Sequence, residues 1–489
     1  MTELPEYVEG VPNISGQESL IAETVAEGRK QELYRPYSSV DLDSARAVFA
    51  NALHMHQPLI PAGGDDLQTA RLIINLQYMK EHPDIGDNHN APVFEWCYER
   101  MAHFIPQLIS EGKTPRIALE YSGVLLHGLR DMGDDFIIES LKSLTNDPGN
   151  QPCTEWLGAP WGHAVAPSTP VQDFYFHVRA WQHHFAAIFG LDALKKVRGF
   201  SPSEMAIPNE PDVAHAFVKT LKDCGYQWVL VQEHTVEEPE TREHPRNPLV
   251  PHRLVCTNSR GETESIIAII KTQGSDTKLV AQMQPFYEAQ GMQPQTLGGQ
   301  QVPALVAQIA DGENGGVMMN EFPDKYFEGT REASGSDTPP VNVSEYLEHL
   351  AARGLGEEAF PVVQPILQNR IWDRFQPGDG PEKMRQVIET LRQESGDFHM
   401  EGGSWTNDMS WVQGYDDVLS VMEEASAMFY RTCVQGGVPS DDPRYRNALY
   451  HLLVSQTSCY RYWGQGLFTE YGKEICRRAM AVMKNDFGG

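Results

Sequence analysis

Apolar runs that stop at ionisable residues, separated by segments of helical period, constrain this 489-residue chain more than any other feature. "ARAVFANALHMHQP" ends in His54, His56 and Gln57, and "RIALEYSG" runs through Leu119 into Glu120 and Ser122. "QWVLVQEH" ends at Glu233 and His234, and "ALVAQIADGE" ends at Asp311. In "NEPDVAHAFVKTLKDCG" between them, Val213, Phe217 and Leu221 recur every fourth residue, with Pro211 near the start and Gly225 at the end, the punctuation of a helix. Strands alternating with helices imply a parallel sheet covered on both faces. Polar groups at several strand ends are what a closed α/β barrel needs to build a site. An open doubly wound sheet is the other arrangement, but it usually shows a Gly-rich phosphate loop after an early strand, and none is present.

After Asp311 the alternation fades. Residues 329–342, "GTREASGSDTPPVN", read as a linker or long loop, and 343–489 as a mainly helical region. The expected division is a catalytic barrel over 1–340, with 1–40 as an N-terminal extension, and a helical unit over 341–489 that contributes to the cleft.

Lys and Arg total 39 against 67 Asp and Glu, a formal net charge of −28. Such a surface repels phosphate backbones and argues against a nucleic-acid partner, while neutral polymers such as polysaccharides carry no such penalty. No apolar run is long enough to span a bilayer, so no membrane association is expected. The opening "MTELPEYVEG" has no apolar block of the kind a signal peptide needs, and the seven cysteines are scattered, with no C-x-x-C pair. Free thiols and a cytoplasmic location are expected.

Three segments carry candidate chemistry. In "LHMHQP", side-chain alternation puts His54 and His56 on one side of a strand end, as a pair of metal ligands or as hydrogen-bonding groups for a polar substrate. His163, in "APWGHAVAP", is a possible third member. In "RGFSPSEMAIPNE", Pro202 and Pro208 bracket Glu204 in a stiff segment; alone, that string also reads as a lead into a helix. Asp311 ends the fourth run, with Glu313 and Glu321 as rival acids. Two carboxylates from strand ends of one barrel face can flank a glycosidic bond, one attacking the anomeric carbon and the other protonating the leaving oxygen.

With these residues in view, the chain resembles glycoside hydrolase family 57. His-x-His-Gln-Pro is similar to the family's first signature and "LEYSGVLLHGL" to its second. "GFSPSEMAIP" resembles the nucleophile segment, "ADGENGG" the general-acid segment, and "GGSWTND" a Ser-Trp element of the helical region. The motifs stand in the family's order from about residue 46 to about residue 465. Where the family commonly has Pro directly before the nucleophile, Ser203 intervenes here after Pro202. The resemblance implies a pseudo-TIM (β/α)7 barrel, an α-glucan or maltooligosaccharide substrate, and a retaining mechanism without metal or cofactor. Glu204 would be the nucleophile and Asp311 the acid and base. His54, His56, Gln57, Glu120, His163 and His234 would line the sugar subsite, with Trp405, Trp411 and Trp463 as stacking platforms and Trp405 in an exposed, Gly-flanked turn. The other readings are a metal-dependent hydrolase using His54 and His56 and a non-catalytic glucan-binding or regulatory protein.

Overall fold

A computed structural model describes residues 4–64, 66–272, 280–313, 321–405 and 412–488. Seven strands form the frame: β1 (Ala47–Met55), β2 (Ile117–Tyr121), β3 (Thr154–Gly158), β4 (Gly199–Phe200), β5 (Trp228–Gln232), β6 (Thr263–Lys271) and β7 (Ala304–Asp311). Each pairs in parallel with the next, and β7 pairs with β1, so the sheet closes into a seven-stranded parallel barrel. β2, β3, β4 and β5 are buried along their whole length. Helices cover the outside, which is why these strands read as apolar runs rather than alternating ones. The first half of β6 leaves the barrel to pair antiparallel with the strand His252–Thr257, which in turn pairs with Val362–Pro365.

Between the strands, helices form where the periodicity asks for them. Pro211–Asp223 begins with proline and an N-cap at Glu210, whose carboxylate accepts from Val213 N at 2.8 Å. It stops at Gly225, which has φ +96°; a side chain there would be strained and would run into Val25.

Residues 329–342 divide between a helix and the loop expected there. Helix Phe322–Ala333 takes the first of them, and the rest form turns and bends along the start of β1, ahead of its pairing with β2 at Ala52. Arg46 N donates to Asp337 O at 2.8 Å, Val341 N donates to Phe49 O at 2.9 Å, and Phe49 and Pro340 form a parallel bridge. Prolines suit such an edge because they have no N–H to offer a further strand. The following helix, Val343–Ala352, closes the amino end of the barrel. Arg46, Arg116 and Arg198 each stand immediately before a barrel strand, and they pair with Asp337, Glu345 and Glu348 respectively. Beyond it, Asp416–Phe429, Pro443–Ser455 and Leu467–Phe487 pack on one another as the helical bundle the periodicity indicates.

Candidate active site

The carboxyl end of the barrel gathers the polar strand ends. In the register of the parallel strands, Asp311 of β7 lies opposite His54 of β1, and His54 lies opposite Glu120 of β2. Three ionisable groups from three neighbouring strands thus share one level. His54 Nδ1 is bonded to Glu120 Oε2. His54, Glu120, Glu204 and Asp311 line a single cavity together with Lys271, Ser201 and Trp405. Asp311 therefore does meet Glu204 on one face of the barrel, and does not sit in a surface turn.

Glu204 is held in an unusual backbone conformation. Its φ is +59° and its ψ +21°, and Met205 follows with φ +51°. A non-glycine residue in that region costs roughly 1–3 kcal/mol and persists only where its surroundings fix it. Here they do. Trp405 N donates to Glu204 O at 2.9 Å, and Ile207 bridges Gly403 in antiparallel fashion. That approach needs glycine at 402, since a side chain there would meet Pro167 at 2.4 Å and the Ile207 carbonyl at 2.7 Å.

The Glu204 carboxyl receives two donors from the helical region: Trp405 Nε1 at 3.0 Å on Oε2 and Ser458 Oγ at 3.0 Å on Oε1. An indole N–H can only donate, so Oε2 is held as an acceptor. Trp405 is thus half-buried and bonded to the carboxyl, not an exposed platform; its ring packs against the apolar cluster inside the barrel.

Burial pushes Glu204 up to about 7; the nearby Asp311 charge adds to this, while His54, Ser458 and Trp405 oppose it. Burial also raises Asp311, against the pull of His54. For His54 burial disfavours the charge, but Glu120 overrides it, with smaller help from Asp311 and Glu313, and the ring is raised to about 10. His54 is therefore a cation among carboxylates. His56 and His163 are driven the other way, well below the usual range, by burial first and by neighbouring imidazoles second.

The three imidazoles stack. His163 lies 3.9 Å from His56 and 4.7 Å from His54 between ring centroids. His163 has φ +57°. His56 Nδ1 shares a hydrogen bond with Ser122 Oγ at 2.7 Å, and His163 Nδ1 shares one with Ser458 Oγ at 2.7 Å. Among the described residues, the Nε2 atoms of His56 and His163 are buried without a hydrogen-bond partner. Also among the described residues, no three His, Cys, Asp or Glu side chains converge as a cation site.

The remaining expected residues scatter. Glu313 is buried behind the histidine turn, accepting from His56 N at 3.1 Å, and Glu321 is exposed. Gln57 is turned toward Asn75, whose Nδ2 donates to it at 2.8 Å. His234 bonds the Ser404 carbonyl at 2.7 Å and so supports the Trp405 turn from behind. Trp463 is 47% exposed and meets Phe468 edge to face at 4.4 Å. Trp411 lies outside the described residues. Sequence reasoning missed Lys271 and Ser458. Lys271 ends the apolar run "SIIAIIK" and carries the same signal as the other strand ends, whereas nothing local marks Ser458.

Residues 50–259 match the family model of glycosyl hydrolase family 57. The family 57 segment contains His54, Glu120, His163 and Glu204 and stops before Asp311, Trp405 and Ser458. A search of curated protein sequences gives no match. Among solved structures the chain is similar to a 4-alpha-glucanotransferase from Thermococcus litoralis, with 16% identity and a TM-score of 0.51 over 89% of this chain. It spans only 57% of that enzyme's length. It is also similar to a GH57-type branching enzyme from Pyrococcus horikoshii, at 12% identity and a TM-score of 0.55 over 90% of this chain and 89% of that one. The alpha-amylase AmyC from Thermotoga maritima is similar at 12% identity and a TM-score of 0.50, over 90% of this chain and 93% of that one. At such identities these likenesses establish a shared fold, a barrel with helices after it.

Proposed function

We propose that this protein is a retaining glycoside hydrolase or transglycosylase acting on α-glucans through a covalent glycosyl-enzyme. The observation that carries the reading is one cavity, at the carboxyl end of a family 57 barrel, lined by Glu204 and Asp311 together with Glu120 and His54. Glu204, with two donors holding its oxygens, is suited to be the nucleophile. Asp311, at the end of a neighbouring strand and on the same cavity, is placed to be the acid.

In the first step a Glu204 oxygen bonds to the anomeric carbon. The glycosidic C–O bond breaks with its electron pair on the leaving oxygen, which takes the proton of Asp311. In the second step water or a sugar hydroxyl gives its proton to Asp311 and bonds to the same carbon, releasing Glu204 with the original configuration restored. The cationic His54 between Asp311 and Glu120 offsets the negative charge that accumulates on this face. His56 and His163, stacked with His54, complete an imidazole cluster beside the cavity. Trp463 offers an exposed ring for a glucan chain, and the helical residues after 341 complete the cleft through Trp405 and Ser458.

The named activities of the structural neighbours, glucan transfer, branching and amylolysis, support an α-glucan substrate. Seven buried, unpaired cysteines support a reducing compartment such as the cytoplasm, and no helix among the described residues is long and apolar enough to cross a membrane. The test is incubation with maltooligosaccharides and with amylose, mapping products by chain length, branch content and anomeric configuration. Products of retained configuration that persist after exhaustive chelation are expected. Inverted products or loss on chelation would overturn the mechanism. Glucan binding with no product under any donor and acceptor would leave a binding protein instead.

A further inference from the structure

Ser458 belongs to no barrel strand, yet its hydroxyl stands between two groups of the cleft, 3.0 Å from Glu204 Oε1 and 2.7 Å from His163 Nδ1. Its backbone is tied to the same turn, since Ser458 N donates to His163 O at 3.0 Å and Thr457 bridges Ala164. The frame behind this contact is fixed as well. Gly162 N donates to His177 Nδ1 at 3.0 Å, so the His177 proton is on Nε2 and donates to Gln456 Oε1 at 2.9 Å. Gln456 Nε2 in turn donates to Asp173 Oδ2 at 2.6 Å. The residues flanking His163 and those flanking Ser458 are thereby locked to one another.

A hydroxyl has one proton to give, and that limits the states of the chain Glu204–Ser458–His163. With Glu204 ionised, Oε1 can only accept. Ser458 then donates to Glu204 and accepts from His163 Nδ1–H. With a proton on Oε1 the direction reverses: Glu204 donates to Ser458, Ser458 donates to His163 Nδ1, and the imidazole proton sits on Nε2. The charge state of the carboxyl and the tautomer of a buried imidazole are coupled through one serine.

We propose that Ser458 is a positioning residue for Glu204: it holds Oε1 as Trp405 holds Oε2, and it stabilises the carboxylate set free when the glycosyl-enzyme breaks down. The role in turnover rests on the function proposed above. In that step the bond between the anomeric carbon and Glu204 breaks with its electron pair left on the carboxylate. The acceptor oxygen bonds to the carbon, and its proton passes to Asp311. Ser458 keeps its own proton throughout and supplies a hydrogen bond that strengthens as charge returns to Glu204.

Two measurements on the full chain test this. Removing a donor from a carboxylate raises its pKa, so in Ser458→Ala the acid limb of kcat/KM against pH should move upward by roughly one unit. On an aryl glycoside with a good leaving group, kcat should fall about tenfold and a burst of aryl alcohol should precede the steady state. Ser458→Thr, which keeps the hydroxyl, should return both toward the starting values. A folded Ser458→Ala protein with an unmoved acid limb and no burst would overturn the role. The second measurement needs no turnover. In protein labelled with 15N-histidine, the ring signals missing from His163→Gln identify His163. Those signals should shift as Glu204 titrates, and the shift should vanish in Glu204→Gln and in Ser458→Ala. If the starting protein processes no glucan, the proposed function fails, and this titration alone decides whether Ser458 links the two groups. A His163 tautomer indifferent to both variants would show that it does not.

Discussion

The two ends of the barrel treat buried charge in opposite ways. At the amino end Arg116 and Arg198 are matched to anions, while Glu155, which accepts from Ser344 N, is pushed up to about 7 by burial. Arg116 donates to both oxygens of Glu345, at 2.9 and 3.1 Å. Arg198 donates to Glu348 at 2.8 Å, and Glu348 also accepts from the backbone N–H groups of Leu33, Tyr34 and Arg35. At the carboxyl end Glu120, Glu204, Asp311 and Glu313 crowd around His54, and burial leaves Glu204 and Glu313 each at about 7. Matched pairs satisfy one another and favour one arrangement of the closed barrel. Crowded like charges hold protons near neutrality and so can move them. The same fold thus keeps its stabilising charges and its reactive charges on opposite faces.

The contrast breaks most visibly if charge removal at the reactive face does not abolish chemistry. Glu204→Gln keeps the shape and loses the proposed nucleophile, so turnover should fall by orders of magnitude while the melting temperature holds or rises. Near-normal turnover would remove Glu204 from its role, whereas rescue by azide with a glycosyl azide of inverted configuration would support it. Asp311→Asn should abolish cleavage of natural glucans. It should spare much of the first step on an aryl glycoside whose leaving group needs no proton, with the intermediate accumulating. Equal losses on both substrates would assign the proton to another group, Glu313 first.

At the amino end the expectation is reversed. Arg116→Met leaves Glu345 buried without its cation and should cost about 3–5 kcal/mol of stability, read from denaturant unfolding. Activity per folded molecule should be unchanged at a permissive temperature. A loss of activity without a loss of stability would mean that the two ends are coupled.

The smallest expected effect is one of pH. Glu204 titrates near its ordinary 4.5 in the unfolded chain and at about 7 in the folded one. Between those values the folded state binds more protons, so this group's contribution to stability is complete below about 4.5 and is lost as pH rises through about 7. His54, raised from 6.5 to about 10, follows the same sign in a higher window: its contribution is complete below 6.5 and fades as pH rises through 10. The melting temperature of Glu204→Gln relative to the unsubstituted protein should therefore climb between pH 4.5 and 7 and level off above. A difference that does not vary with pH would show that Glu204 is not perturbed by its surroundings.

Four of the seven strands were legible because an apolar run ending in His, Glu or Asp is a local signal. β4 was not, since two residues carry no period. Residues 334–342 form the turns and bends that Gly, Ser, Asp and Pro signal by backbone preference, while their hydrogen bonds to the start of β1 left no local mark. Within the site, His54, Glu120, Glu204 and Asp311 were found because each ends or follows a strand. The turn holding Trp405 could be read only as exposed, because its acceptor lies 201 positions earlier in the chain. Ser458 is 254 positions from Glu204 and has no neighbour in sequence that reports the contact.

Those separations also set an order of assembly. Once residue 311 has been made, every strand of the barrel exists, and so do both carboxyl groups. The left-handed turn at Glu204 still lacks the Trp405 amide that holds its carbonyl, and the carboxyl lacks both donors. Contacts of such long range close after local ones, because the intervening chain must first be ordered. Residues up to 352 add the ion pairs of the amino end, yet the Glu204 carboxyl still waits for its second donor until residue 458 has been added.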